Sequence, residues 1–280
     1  MSNLSDMPHK ARIRTVAAGL PLFLAAIGLC TTGAEPVAAA TPVRVIQYNI
    51  CGSICHHGVI DRPGPNNDIV EDARNRIVGA RPAIVTVNEI CIAQFHRLKS
   101  LLGASPWKMS GVFRPQRGDG RCKNGTAFGD AVLTAGHVGG TVVLPMPNLG
   151  GERRAVLCLQ TSADGPVLAC TLHLVTGRGK HGNREKLMQM GAASRALNAR
   201  AAKGAVIVGG DFNLTPGQMG RLLNGGQGGR FFEADPQMAA THGRKIDYIL
   251  FSRPHFSNPS GGPQASKSDH KVLIGQATRH

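Results

Sequence analysis

Ala205-Val206-Ile207-Val208-Gly209-Gly210-Asp211-Phe212-Asn213 carries a short apolar run into two glycines and then into an acid and an amide. The run reads as a short buried strand that delivers Asp211. Asp-x-Asn is by itself a common turn composition. The apolar strand ahead of it makes a plain capped turn the weaker reading.

Working outward, the same arrangement recurs. Val43 to Ile50 alternates enough to be a strand and brings Asn49 near its end. The Gly- and Pro-rich stretch from Cys51 to Asn67 reads as a loop. Ile69, Ala73, Ile77 and Val78 stand at helical spacing with Asp68 as a cap, and Arg81-Pro82 stops that helix before the strand Ala83 to Val87, which Glu89 follows. A helix is expected from Ile92 to Leu102, then strands near Ala127 to Leu133 and Gly140 to Leu144. A hairpin bearing Cys158 and Cys170 comes next, its second strand running into Leu172-His173-Leu174, followed by a helix from Asn183 to Ala202. Ile246 to Leu250 is a further strand, and Ser268-Asp269-His270 precedes a last one, Val272 to Ile274. Strands in series with helices between them fit an α/β sandwich of two sheets with outer helices. Each chemically interesting residue lies at a strand end, so packed sheets would gather them at one rim.

The chain has 280 residues with 42% hydrophobic composition, enough for one large domain. Residues 1–40 read as a secretory signal peptide: Lys10, Arg12 and Arg14 precede an uncharged stretch from Thr15 to Gly33, and cleavage is expected after Ala40. The apolar run from Val16 to Leu29 falls short of the roughly 20 residues a spanning helix needs. Bulky Leu29 before Cys30 argues against a lipid-attachment site. Residues 41–280 form the expected mature domain. They retain six cysteines, for which disulfides are the default in an exported chain. Cys158 and Cys170 can face each other across their hairpin, while the pairing of Cys51, Cys55, Cys91 and Cys122 stays open. A zinc reading of Cys51, Cys55, His56 and His57 lacks a second ligand pair at finger-like spacing.

The formal charge is +15, and because the leader sets three basic residues against Asp6 and Glu35, +14 of it falls on residues 41–280. Such a protein attracts polyanions. Arg114, Arg117, Arg121 and Lys123 form one basic cluster, and Arg178, Lys180, His181 and Arg184 another after His173.

Gln47-Tyr48-Asn49-Ile50, Asn88-Glu89-Ile90, Gly129 to Leu133, Thr171 to Leu174, Gly210-Asp211-Phe212-Asn213, Ile246-Asp247-Tyr248 and Ser268-Asp269-His270 occur in this order. In these motifs the chain resembles the endonuclease/exonuclease/phosphatase superfamily, which includes pancreatic-type deoxyribonucleases, abasic-site endonucleases, bacterial sphingomyelinases and inositol-polyphosphate phosphatases. The resemblance spans essentially all of residues 41–280 and implies a four-layer α/β/β/α sandwich of two mixed sheets flanked by helices. It implies that Glu89 is the principal ligand of Mg²⁺, with Mn²⁺ or Ca²⁺ as alternatives, and that Asn49 and Asp269 lie close to the metal. Carboxylate and amide oxygens suit such ions. Asp211 would orient or deprotonate water, Asn213 would donate to a phosphate oxygen, and His270, oriented by Asp247, would stabilise charge on the phosphate. His173 would assist the leaving oxygen or bind phosphate. Asn88 stands where many members carry Gln, and Asp130 where many carry Asn or Leu. His56, His57, His96, His137, His181 and His242 match no catalytic motif and read as surface or loop residues.

The resemblance sets the reaction more firmly than the substrate. Distributed basic charge favours a secreted endonuclease with nucleic acid as substrate, through counterion release. A sphingomyelinase-like phospholipase would be expected to carry an apolar hairpin for membrane entry, and an inositol-phosphate phosphatase is the other enzymatic alternative. A polyanion-binding protein without turnover is the non-enzymatic one, against which Glu89, Asp211, Asn213, Asp269 and His270 stand. No membrane anchor or protein partner is implied, and a monomer is the default expectation.

Overall fold

Alternation along the strands decides which side of each sheet is covered by what. In β1 (Pro42–Asn49), Val43 and Val45 point one way while Ile46 and Tyr48 point the other. In β2 (Ile84–Cys91), Ile84 joins the first set and Val85 and Val87 the second. The second set packs under α1 (Ile69–Ala80) and α2 (Ile92–Gly103) through Ile69, Ala73, Ile77, Phe95 and Leu98. The first set meets the inner face of another sheet, where Leu157, Leu159, Ala169, Ile207, Ile249 and Phe251 lie. That sheet's outer face, with Val156, Leu172, Val206, Val208 and Leu250, packs against Met190, Ala193 and Leu197 of α3 (Gly179–Ala201). The layers are therefore α/β/β/α, the expected sandwich. The structure is a computed structural model that describes residues 41–56, 69–116, 122–150, 153–162, 165–177, 179–220, 222–223 and 229–280. The expected leader, the Asp68 cap, most of the loop after Cys55, and Arg117, Arg121 and Arg178 lie outside the described residues.

The remaining strands are β3 (Ser110–Pro115), β4 (Phe128–Thr134), β5 (Val138–Pro145), β6 (Ala155–Thr161), β7 (Val167–His173), β8 (Val206–Asp211), β9 (Phe231–Glu233), β10 (Asp247–Ser252), β11 (Phe256–Gln264) and β12 (Val272–Arg279). They form two six-stranded sheets, β11-β12-β1-β2-β4-β3 and β5-β6-β7-β8-β10-β9. Both are mixed: β1 and β2 run parallel, as do β7 and β8, and the other pairs are antiparallel. Four elements differ from the sequence expectation, among them the short edge strand β9, which no sequence pattern announces. β3, with Gly111 in it, and β11, with Pro259, Gly261, Gly262 and Pro263, are edge strands of poor β-propensity, so pairing with a neighbour defines them. α3 begins at Gly179 rather than Asn183, adding a glycine-containing turn.

Cys158 and Cys170 are directly opposite in the β6–β7 ladder and are disulfide-bonded, with Cα atoms 4.0 Å apart, as the hairpin suggests. Cys91–Cys122 and Cys51–Cys55 are the other two pairs. Cys51 and Cys55 thus spend their sulfurs on each other and offer no thiolates to zinc.

The two sheets approach most closely where β8 leaves the core. A Cβ placed on Gly209 would collide with Thr86 Oγ1 of β2, so only glycine fits opposite that side chain. Gly209→Ala should destabilise the domain by about 1–3 kcal/mol, lowering its melting temperature by roughly 2–4 °C per kcal/mol. Adding Thr86→Ala should recover part of the loss. Thermal denaturation followed by circular dichroism checks both, and full additivity of the two losses would refute the proposed contact.

Candidate active site

The inner face of each central strand is apolar in the middle and polar at one end. Positions in phase with Val45, Ile84, Ala169, Ile207 and Ile249 are Gln47 and Asn49, Thr86 and Asn88, Thr171 and His173, Gly209 and Asp211, and Asp247. Because β1 and β2, and β7 and β8, are parallel pairs, their C-terminal ends share one rim. β10 starts at that rim with Asp247 opposite Asp211, and β12 starts there just after His270. Period-two alternation thus converts strand ends into a polar cluster between the sheets.

Glu89 breaks the phase. The β2–β4 register slips between Val87 and Ile90, so Asn88 and Glu89 together face Asp130. This bulge puts Glu89 in the left-handed region at φ 58° and turns its side chain to the same cluster as its neighbours. Asn213, at φ 50°, is a second strained residue; its N–H donates to Asp211 Oδ1 at 2.9 Å and its amide to Leu174 O at 3.0 Å.

Asn49 Nδ2 donates to Glu89 Oε1 at 3.0 Å and to Asp211 Oδ2 at 3.2 Å, while its oxygen accepts from Cys51 N–H. His173 Nε2 lies 3.5 Å from Asp211 Oδ2 and 3.8 Å from Glu89 Oε1. Its Nδ1 is buried without a hydrogen-bond partner. Burial, assisted by the charges of Arg154 and His270, holds its pKa well below 6.5. His173 is therefore neutral with its proton on Nε2. His270 is the opposite case: Nδ1 is 2.8 Å from Asp247 Oδ2 and Nε2 is 3.9 Å from Asp211 Oδ2. Burial pulls its pKa down, but the hydrogen bond and charge of Asp247, with Asp211 and Asp269, outweigh it and push it up to about 9. Two imidazoles that both approach Asp211 Oδ2 thereby have pKa values pushed in opposite directions.

Burial raises the pKa of both Glu89 and Asp211, and the charge of Asp247 raises Asp211 further. One ligand atom from each of Glu89, His173 and Asp211 lies within 4.8 Å of the others. The half-buried Glu89 and the buried Asp211 form a carboxylate pair that fits a hard divalent cation, whose charge would relieve their mutual repulsion, while His173, with its proton on Nε2, would not ligate through that nitrogen. Asp269 is exposed: its carboxylate accepts from Ser268 Oγ at 3.1 Å and sits with His242 and His270. Ser268 Oγ also donates to Asn49 O at 2.8 Å, tying the loop before β12 to the end of β1.

The structure thus brings Asn49, Glu89, His173, Asp211, Asp247 and His270 into one cluster, with Asn213 bonded to it and Asp269 at its exposed side. Three further residues join it. His242 stacks on His270, ring centroids 4.5 Å apart and planes 11° from parallel, with Nδ1 2.9 Å from Asp269 O. Lys186 donates from Nζ to Thr176 O and Asn213 O, bracing the Asn213 turn. Arg154 is buried near Glu89, Asp130 and His173, on all of which its charge acts. No spacing in the sequence points to these three, since each acts through a contact between distant segments.

Known proteins agree with this architecture. The chain is similar in fold to an endonuclease/exonuclease/phosphatase from Beutenbergia cavernae (TM-score 0.66, 20% identity, covering 85% of this chain and 72% of that one). It is also similar to the catalytic domain of human Nocturnin with bound sulfate (0.64, 18%, 85% and 94%) and to truncated TDP2 from Caenorhabditis elegans (0.61, 16%, 85% and 98%). No curated protein matches the chain. The Endonuclease/Exonuclease/phosphatase family matches residues 46–270, well over half of the sequence and the whole span from β1 to His270, and the chain belongs to that family.

Proposed function

We propose that the protein is a secreted, divalent-metal-dependent phosphodiesterase, and that it acts as an endonuclease on DNA or other nucleic acid. The observation that carries the reading is that His173 Nε2 and His270 Nε2 both approach Asp211 Oδ2, at 3.5 and 3.9 Å, beside Glu89. Phosphodiester hydrolysis needs a base for water, a cation for the phosphate and a carboxylate for a metal, and this cluster gathers candidates for each around Asp211, with His270 Nε2 3.9 Å from its Oδ2 and Asn49 joining it to Glu89. Three disulfides fit an oxidising compartment, and the basic charge of residues 41–280 suits a polyphosphate substrate.

Glu89 would hold the cation, with Asn49 orienting its carboxylate and Asp269 alongside. When bound, Mg²⁺ or a similar ion supplies charge stabilisation to the phosphate oxygens. Asp211, whose pKa burial and the charge of Asp247 push up, is the carboxylate placed to take the proton of the attacking water. His270, protonated and fixed by Asp247, faces the developing negative charge, and Asn213 adds an amide donor. His173 keeps one Nε2–H to place on an oxygen of the substrate, its leaving oxygen included.

Residues 41–280 should nick supercoiled plasmid with Mg²⁺ or Mn²⁺. EDTA should abolish nicking, and His270→Ala should slow it by about 10²–10⁴-fold. An intact plasmid would move the reading to phospholipid or inositol-phosphate substrates, and no hydrolysis of any phosphoester would leave polyanion binding. The charge on His270 has its own test. Because its pKa is raised, the imidazolium persists through neutral pH and is lost as pH rises through about 9. Ring resonances in a metal-free NMR titration should therefore move with a midpoint near 9 and shift toward the ordinary value of about 6.5 in Asp247→Asn. An unchanged midpoint in that variant would remove Asp247 from its assigned part.

A further inference from the structure

A second cleft, of about 500 Å³, opens at the edge of the sandwich beside the cluster. Arg114, Arg153 and Arg154 line it together with Val143, Pro145 and Met146. Its position follows from strand register. Leu157 of β6 is opposite Thr171 of β7, so the start of β6, where Arg154 stands, lies beside His173 at the end of β7. Pro145 of β5 is opposite Ala155, next to Arg154. In the other sheet Arg114 of β3 is opposite Asp130 of β4, and the next pair, Pro115 and Gly129, leads to Ile90, one residue beyond Glu89. The cleft therefore occupies the same rim as the cluster, displaced toward the β3 and β5 edges, with Arg154 on the wall between them.

Its chemistry is specific. Among the described residues no acidic side chain lines it; the nearby Asp130 is buried, accepts from Asn88 and Gln116, and has a raised pKa. Three guanidiniums suit a phosphate, whereas the exposed Val143 and Pro145 offer an apolar surface that an inositol polyphosphate has no use for and a nucleobase does.

We infer that this cleft binds the nucleotide unit next to the scissile phosphate, taking its phosphate on Arg114, Arg153 and Arg154 and its base against Val143 and Pro145. A polynucleotide lying along the rim would cross the Asp211 cluster and continue into it. The inference rests on the phosphodiesterase reading of the central cluster and narrows its substrate to nucleic acid.

Arg153 is exposed and outside the central cluster, so it gives the cleanest variant. Steady-state kinetics on an oligonucleotide and on bis(p-nitrophenyl) phosphate, a diester with nothing to place in the cleft, separate the two sites. Arg153→Glu should raise KM for the oligonucleotide about tenfold or more and leave kcat and bis(p-nitrophenyl) phosphate turnover unchanged. The same charge reversal at exposed Arg195 of α3 should leave oligonucleotide KM unchanged. Equal effects on both substrates, no effect on either, or an equal effect from Arg195→Glu would overturn the assignment. Oligonucleotide binding by fluorescence anisotropy in EDTA distinguishes the two failures. If Arg153→Glu binds more weakly but wild type cleaves nothing, the cleft stands and the catalytic reading falls. If wild type cleaves and Arg153→Glu binds as tightly as wild type, the cleft assignment falls alone. Circular dichroism melting of each variant confirms that the fold is retained.

Discussion

Asn88 stands where the two sheets exchange hydrogen bonds instead of apolar contact, and the cluster is arranged around it. Its oxygen accepts from Gln47 Nε2 at 2.8 Å and from Asp211 N–H at 2.9 Å. Its nitrogen donates to Asp130 Oδ1 at 2.8 Å, with Thr171 Oγ1 and Leu172 O next in range. A buried amide is tolerable only when satisfied, and leaving one partner unmet costs about 1–3 kcal/mol. Here one side chain links β1, β2 and β4 of one sheet to β7 and β8 of the other, and fixes Asp211 from behind.

Around that bridge the remaining polar residues are set by geometry that admits little choice. Gly209 lets β8 come close enough for Asp211 to reach the bridge. The bulge opposite Asp130 turns Glu89 into the cluster, and Gly52 N–H bonds to Glu89 O at 2.9 Å while Cys91, two residues on, is tied to Cys122. A strained residue persists only where its surroundings over-determine it, and Glu89 has restraints on both sides.

Much of this was legible in the sequence, and the boundary of legibility is physical. Val206, Ile207 and Val208 announce a buried strand because both faces are covered; Asp211 and Asp247 could be placed at strand ends for the same reason. Edge strands such as Phe256–Gln264 lack that signal, since one side meets solvent and prolines are allowed. Phase along the strands also separates Asn49, His173 and Asp211 from their outward neighbours, but not Glu89, because a bulge is a property of two strands together. His242 and Arg154 were invisible for a related reason. One is recognised by the ring it stacks on and the other by charges it approaches, and both partners lie far away in sequence.

The pairing of β1 with β12 has a consequence for how the molecule comes into being. The first strand of the domain is closed by the last, and the cluster draws on residues from Asn49 to His270. Contacts of such long sequence separation form late and slowly. No contiguous segment holds a working subset of the cluster, so the appearance of chemistry and the completion of folding are the same event. A ribosome-bound chain that has not yet released β12 has a sandwich with an open seam and an incomplete cluster.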